Sequence, residues 1–109
     1  MGKKIYELHA EVCKTLANPK RIEVINLLRE GEKSVDELAS KMKIRKANLS
    51  QHLALMRGKR IVETRREGTR VYYRLVNPKV VKACDIMREV LLEQLVQNQK
   101  FVENIKNNK

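Results

Sequence analysis

Apolar residues recur along the N-terminal part of the chain at three- and four-residue steps, the spacing that places side chains on one face of an α-helix. The first stripe comprises Ile5, Leu8, Val12 and Leu16, and the second comprises Ile22, Ile25, Leu27 and Leu28. Between them, Asn18-Pro19 predicts that Asn18 caps the second helix and that Pro19 occupies its first turn. Gly31 is expected to end that helix.

A second pair of helices is predicted over residues 34–57. Ser34 and Glu37 have the spacing of a capping box, which indicates a helix start. The apolar positions of this helix are Val35, Leu38, Ala39 and Met42, and those of the next helix are Leu49, Leu53 and Met56. His52 lies beside the latter stripe, so we expect it to pack or to position the helix rather than to read DNA. No side chain suited to capping precedes this helix at Arg45, and local rules are often broken in this way where function requires it.

Residues 61–75 have the pattern of a β-hairpin. Its apolar positions are Ile61, Val62, Val71, Tyr73 and Leu75. Glu67-Gly68-Thr69 predicts the turn, because glycine tolerates a positive φ. Two short helices joined by a tight turn and followed by such a hairpin indicate a helix-turn-helix (34–57) with a wing (61–75). The second helix of this arrangement can enter the major groove of DNA.

Asn77-Pro78 repeats the capping signal and predicts a last helix over residues 78–105. Its apolar residues lie on more than one face, which leaves more apolar surface than a small domain covers by itself. We therefore predict a single winged-helix domain over residues 1–109, mainly α with a small β-hairpin. It is expected to form a homodimer through its first helix (1–17) and its last helix (78–105). The predicted interface residues are Leu8, Val12, Cys84, Met87, Leu91 and Leu95.

The positive charge of the chain is concentrated in one stretch. From Lys41 to Arg74 there are eleven Lys and Arg residues against two acids, and the whole chain has a net charge of +11 at pH 7. Such a patch is typical of binding to double-stranded DNA, because neutralised phosphates release their counterions. The predicted DNA-binding residues are Arg45, Lys46, Asn48, Ser50, Gln51 and Arg57 in the helix, and Arg65, Arg66, Thr69 and Arg70 in the wing. Asn48 and Gln51 are expected to read bases, since an amide can bond an adenine edge bidentately.

Several classes of protein are not expected. No apolar run approaches the roughly 20 residues that cross a bilayer, and the N-terminus has no secretory signal, so we expect a cytoplasmic location and no membrane partner. There is no glycine-rich phosphate loop and no second histidine near His52, so an enzyme is not expected. An architectural protein that coats DNA without sequence specificity or an effector stays open as an alternative, although uncharged Asn48 and Gln51 favour a regulator.

Four segments of the chain carry a family resemblance: LANPKRIEVINLL, SVDELASKM, LSQHLALMR and VETRREGTRVYYRL. They resemble the ArsR/SmtB-type winged helix-turn-helix transcriptional repressors of bacteria and archaea, over roughly Leu8 to Leu95. The resemblance implies an α-α-α-α-β-β-α homodimer that binds an operator of inverted-repeat symmetry and is released by an effector, commonly a metal ion or a thiol modification. Matched by position, it implies DNA reading by Lys46, Ala47, Asn48, Ser50 and Gln51, with wing contacts by Arg65, Arg66 and Arg70.

The chain departs from the family pattern at three positions next to the DNA-reading helix. Arg45 and Lys46 stand where the family often has a small polar residue and a glutamine, so the resemblance does not specify the operator sequence. Arg60 stands where a glycine usually precedes the wing. Gly58 lies two residues earlier, which predicts a reshaped end to the helix.

The family's two familiar metal sites are absent. The helix that begins after Ser34 has no Cys-x-Cys pattern, and the last helix has Asp85 but no histidine. Cys13 and Cys84 are instead candidate effector or redox residues, because some family members sense oxidants or reactive sulfur with a cysteine pair. Three interpretations stay open: packing alone, a thiol switch, and a site for zinc or another metal formed by His9, Cys13 and Cys84. No other cofactor is expected.

Overall fold

The structure is a computed structural model that describes residues 2–107, apart from the side chains of 100–102. The chain divides after Pro78 into two compact units, and each is described by itself. The first unit contains α1 Lys4–Leu16, α2 Pro19–Leu28, β1 Lys33–Ser34, α3 Val35–Met42, α4 Lys46–Gly58, β2 Val62–Glu67 and β3 Arg70–Leu75. The second unit contains α5 Lys79–Gln97 and α6 Gln99–Asn107. The prediction of one domain over 1–109, which includes residues outside the described ones, stays a prediction.

Two helix starts confirm the predicted caps. The side chain of Asn18 accepts hydrogen bonds from the backbone N–H groups of Lys20 at 2.9 Å and Arg21 at 3.4 Å. Ser34 Oγ accepts from the N–H of Glu37 at 3.1 Å, and the N–H of Ser34 donates to the Glu37 carboxylate at 3.1 Å. These bonds satisfy donors that a helix start otherwise leaves unpaired, and so they fix where α2 and α3 begin.

The strands form an antiparallel sheet in the order β1-β3-β2. β2 and β3 are the predicted hairpin, with Gly68 at φ +63 in the turn between them. β1 was not predicted: its residues Lys33 and Ser34 pair with Tyr73 and Tyr72 of β3. A strand of this length is too short to show the alternation of apolar and polar residues that marks a strand in a sequence.

The core of the first unit lies between α2, α3, α4 and the base of the hairpin. Its buried apolar residues are Val24, Ile25, Leu28, Leu38, Ala39, Met42, Leu49, Leu53, Met56, Ile61 and Val62. On α2 the predicted apolar face is wrong in part, since Val24 is fully buried and Ile22 is 36% exposed. The apolar residues between Ile22 and Leu28 occupy more than one helical face, so their spacing alone does not select the buried side.

The predicted last helix is interrupted. The prediction of one continuous helix over 78–105 is wrong, because α5 ends at Gln97 and α6 begins at Gln99. At the break, the backbone N–H of Asn98 donates to the carbonyl oxygens of Gln94 and Leu95 at 3.2 Å. Asparagine competes for backbone hydrogen bonds with its own side chain, which disfavours it inside a helix. None of the described helices is both long enough and apolar enough to span a membrane.

Candidate nucleic-acid interface

α4 has two chemically different faces. Leu49, Leu53 and Met56 are fully buried, and α4 packs against α2, α3 and β2. The other face is exposed and mostly polar, with Arg45, Lys46, Ala47, Asn48, Ser50, Gln51 and Arg57. The structure therefore confirms the division that the spacing predicted, and the side chains able to bond base edges and phosphates face solvent. As expected, no side chain caps α4 at Arg45.

Two cationic residues with left-handed backbone conformations lie just outside the two ends of α4. Lys43, at φ 56, forms the turn between α3 and α4, and Arg60, at φ 58, follows the end of α4. A side chain in this region costs roughly 1–2 kcal/mol, and only glycine adopts it freely. α4 runs through Gly58, and Arg60 itself takes the glycine-like conformation at the position where the family usually has glycine.

Lys46, a predicted base reader, is paired with a carboxylate inside the chain. Its Nζ lies 2.8 Å from Oδ1 of Asp36 on α3. The hydrogen bond from Lys46 holds the pKa of Asp36 below its ordinary value. Asp36 is therefore charged at neutral pH, and both partners are exposed, so a DNA phosphate or base can compete for the lysine.

Arg65, a predicted wing contact, is engaged by three side chains. Its guanidinium donates to both carboxylate oxygens of Glu32, in the loop before β1, and to Glu67 at 2.8 Å. It also lies 4.7 Å from the centroid of the Tyr72 ring. The bonds to Glu32 and then Glu67 raise the pKa of Arg65, and the bond from Arg65 lowers the pKa of Glu32. The charge of Arg65 is thus matched within the chain, and its contact with DNA stays a prediction.

The other predicted DNA-binding cations form no ion pair with any residue that the structure describes. These cations are Arg45, Arg57, Arg66 and Arg70. Arg45 and Arg57 lie near the two ends of α4, whereas Arg66 and Arg70 flank the hairpin turn, where Thr69 is also exposed. Cations outside the ion pairs of the described residues are therefore present on both α4 and the hairpin, which favours phosphate binding.

His52 is held inside the first unit. Its Nδ1 accepts a hydrogen bond from Nε of Arg21 on α2 at 3.2 Å, and Nη1 of the same guanidinium donates to the Thr15 carbonyl at 3.0 Å. Burial, and then the charges of Arg21 and Lys20, lower the pKa of His52. The imidazole is therefore neutral at pH 7, which allows Nδ1 to accept. This geometry confirms that His52 packs within the first unit, and its role in positioning the helix stays a prediction.

The candidate effector residues lie on different helices. Cys13 is exposed on α1, and Cys84 is half-buried on α5. Within the described part of one chain, no group of three His, Cys, Asp or Glu side chains is arranged to hold a metal ion. The interpretation of His9, Cys13 and Cys84 as a zinc site therefore gains no support here, and the thiol interpretation stays a hypothesis.

Sequence reasoning missed four residues of this surface: Arg21, Glu32, Asp36 and Tyr72. Glu32 and Asp36 precede the basic stretch from Lys41 to Arg74, so its charge seemed unopposed in the sequence. Their partners lie in other elements, and an acid beside a basic segment does not indicate which cation it will meet.

Comparison with known proteins relates this arrangement to a family. The profile described as bacterial regulatory protein, arsR family, matches residues 18–64. The chain is also 35% identical, over 103 residues, to Rv0081, an uncharacterised helix-turn-helix-type transcriptional regulator of Mycobacterium tuberculosis. That match covers 94% of this chain and 90% of the relative. The chain belongs to the ArsR family of transcriptional regulators.

Three further matches agree with this assignment. The biofilm growth-associated repressor of Agrobacterium fabrum is 40% identical over 87 residues, covering 80% of this chain and 74% of the repressor. The crystal structure of Rv0081 matches with a TM-score of 0.78 at 36% identity, covering 89% of this chain and 98% of that one. The solution structure of a homodimeric winged helix-turn-helix DNA-binding domain of Mycobacterium bovis matches with a TM-score of 0.76 at 32% identity. That match covers 87% of this chain and 90% of the domain. The predicted fold class is confirmed, and the family consists of DNA-binding regulators and not enzymes.

Proposed function

We propose that this chain is a homodimeric transcriptional regulator that binds a specific DNA sequence and represses transcription. The observation that carries the proposal is the exposed face of α4, where uncharged Asn48 and Gln51 accompany the cations Lys46 and Arg57. Amide side chains can read adenine edges, an ability that a protein coating DNA by charge alone does not need. We infer that α4 enters the major groove, while the wing residues Arg65, Arg66, Thr69 and Arg70 contact the flanking backbone or minor groove.

Dimerisation is inferred from exposed apolar stripes on two helices. On α1, Leu8 is 53% and Val12 is 39% exposed, and on α5, Met87 is 68% and Leu91 is 50% exposed. A second copy of this chain would remove these side chains from water, with Cys84 and Leu95 completing the proposed interface. Sedimentation equilibrium is expected to give twice the mass of one chain. A single-chain mass at the concentrations that bind DNA would contradict a dimer.

Selection from a random duplex library tests the sequence specificity. We expect the protein to enrich a motif of inverted-repeat symmetry, with half-sites about one helical turn apart. We propose that the protein acts in the cytoplasm, and a reporter placed behind the selected duplex should lose expression when the protein is present. A library without an enriched motif would favour the architectural alternative.

Gln51→Ala tests direct readout by α4. The variant is expected to lose about 1–3 kcal/mol of discrimination between the selected duplex and a random one, because the base edge loses its amide partner. Arg66→Ala is the comparison variant. It should weaken binding to both duplexes about equally and reduce the slope of log affinity against log salt concentration by about 1. Fluorescence anisotropy at fixed salt measures both effects. Equal losses for both variants on both duplexes would contradict base reading by Gln51.

We further propose that a thiol-directed effector releases the DNA. The exposed thiol of Cys13 and the place of Cys84 in the proposed interface support this proposal. A mild oxidant is expected to weaken binding to the selected duplex, and Cys84→Ser should abolish that response, whereas added zinc should change nothing. A disulfide between the two cysteines further requires Cα atoms within about 7 Å of each other. Unchanged affinity in the oxidant would leave the cysteines as packing residues.

A further inference from the structure

One guanidinium joins three helices of the first unit. Arg21 belongs to α2, its Nη1 donates to the carbonyl oxygen of Thr15 near the end of α1, and its Nε donates to Nδ1 of His52 on α4. These bonds measure 3.0 Å and 3.2 Å. Because the guanidinium is planar, it holds the two acceptors in a fixed relation to each other.

The two Arg21 hydrogen bonds, to Thr15 and His52, are called the guanidinium bridge, and further contacts fix the groups at both of its ends. The Thr15 side chain is buried, and its Oγ1 donates to the carbonyl oxygen of Glu11 at 3.0 Å, which secures the last turn of α1. The backbone N–H of Arg21 donates to the capping side chain of Asn18. At the other end, His52 lies between the residues of α4 that enter the core and Gln51, which faces solvent. A shift of the α4 backbone at His52 would therefore also move Gln51, the adjacent residue on the same helix.

We infer that Arg21 and His52 are positioning residues for DNA reading, which hold α4 in its reading orientation only while the imidazole is neutral. The inference rests on the proposed function, because its main readout is DNA affinity. Protonation places an N–H on Nδ1, which then faces the N–H of Arg21 Nε. The hydrogen bond is lost, and two positive charges then lie at hydrogen-bonding distance. α4 keeps its apolar packing against α2 but loses the hydrogen bond through which Arg21 fixes its orientation.

Few neighbouring groups titrate in the pH range in which His52 gains its proton, so a change in DNA affinity there can be assigned to His52. The charges that act on the imidazole are Arg21 and Lys20, both on α2, and in the described chain α3 and β2 bring no charge that shifts its pKa. The carboxyl pKa values of Glu32 and Asp36 lie below their ordinary values, so these acids stay ionised above about pH 5. The chain has two histidines, and the other, His9, is exposed on α1.

The sign of the pH dependence is the test. An added positive charge alone strengthens binding to DNA, so acidification is expected to tighten an ordinary basic protein on its duplex. Loss of the hydrogen bond between Arg21 and His52 predicts instead that acidification weakens binding to DNA. Between about pH 8 and about pH 5, we expect the affinity of the wild type for the selected duplex to fall by up to about tenfold, the scale of one charge-assisted hydrogen bond.

Two variants make the test specific. In His52→Asn the side-chain oxygen can accept from Arg21 in place of Nδ1 and does not titrate, so the variant should keep the high-pH affinity across the range. His9→Asn is the matched control and should follow the wild type. Wild-type affinity that rises on acidification, or a His52→Asn variant that follows the wild-type profile, would overturn the inference.

A measurement without DNA separates this inference from the proposed function. Nitrogen NMR of the imidazole should show neutral His52 with its proton on Nε2. In Arg21→Met, which keeps an apolar stem without donors, the pKa of His52 should rise, because a nearby positive charge is gone. Circular dichroism confirms that each variant is folded. If no duplex is selected but these NMR results are found, the bridge stands and only the proposed function fails; an Nδ1–H tautomer would refute the bridge itself.

Discussion

α4 and the β2–β3 hairpin both present cations to solvent, but different forces hold them. α4 buries Leu49, Leu53 and Met56 completely, whereas the hairpin becomes exposed from Val62 toward its turn. Toward its turn the hairpin has, besides its strand pairing, exposed ion pairs of Arg65 with Glu32 and Glu67 and the contact of Arg65 with the Tyr72 ring. Burial of apolar area stabilises strongly and exposed ion pairs contribute little. Buried apolar area therefore keeps α4 folded on the core, whereas the exposed ion pairs near the hairpin turn can be exchanged for contacts with DNA.

Removing the support of α4 should have the largest effect on stability. Leu53→Ala deletes a fully buried side chain, so we expect the free energy of unfolding to fall by about 2–5 kcal/mol. Leu55→Ala is the control on the same helix, since Leu55 is 39% exposed and its truncation should cost far less. Urea unfolding measures both variants. Similar losses would mean that α4 is not held by its buried face.

Alanine in place of glycine at the hairpin turn and at the end of α4 should change the free energy of unfolding by less than Leu53→Ala. Gly68→Ala forces a side chain into a turn at φ +63 and should cost about 1–2 kcal/mol, with no steric clash because no atom lies within 4 Å of the added Cβ. Gly58→Ala, in the last turn of α4 and equally unobstructed, should stabilise by about 0.4–1 kcal/mol. Thermal unfolding of the pair gives the comparison. Shifts of the same sign would contradict the left-handed turn of the hairpin.

Glu32→Gln should change stability least and yet alter DNA binding. Without this carboxylate, Arg65 is freer to meet a phosphate, so affinity for both the selected and the random duplex should rise and the salt slope should steepen by about 1. Glu30→Gln, at an exposed acid that has no ion pair with a described residue, makes the same change in net charge. Anisotropy across salt concentrations measures both. Equal gains in the two variants would show that only net charge matters.

Most of the fold and the general place of the interface follow from local patterns. The caps at Asn18 and Ser34 and the turn at Gly68 each depend on residues within three positions of one another, and each was found as predicted. The buried side of α4 was also predicted correctly, because only one of its faces is continuously apolar. On α2 the apolar residues spread over several faces, and the prediction failed there for Val24 and Ile22.

Local patterns in the sequence therefore determined most of the elements, the caps of α2 and α3 and the position of the cations. Tertiary structure alone decided which distant partners two arginines meet: Arg65 pairs with the Glu32 carboxylate and Arg21 donates to neutral His52, over separations of 33 and 31 positions. It also decided that Lys33 and Ser34 form a third strand. The physical reason is that capping and helical periodicity act within one or two turns of the chain. Ion pairs, sheet pairing and the guanidinium bridge instead depend on how separate elements pack.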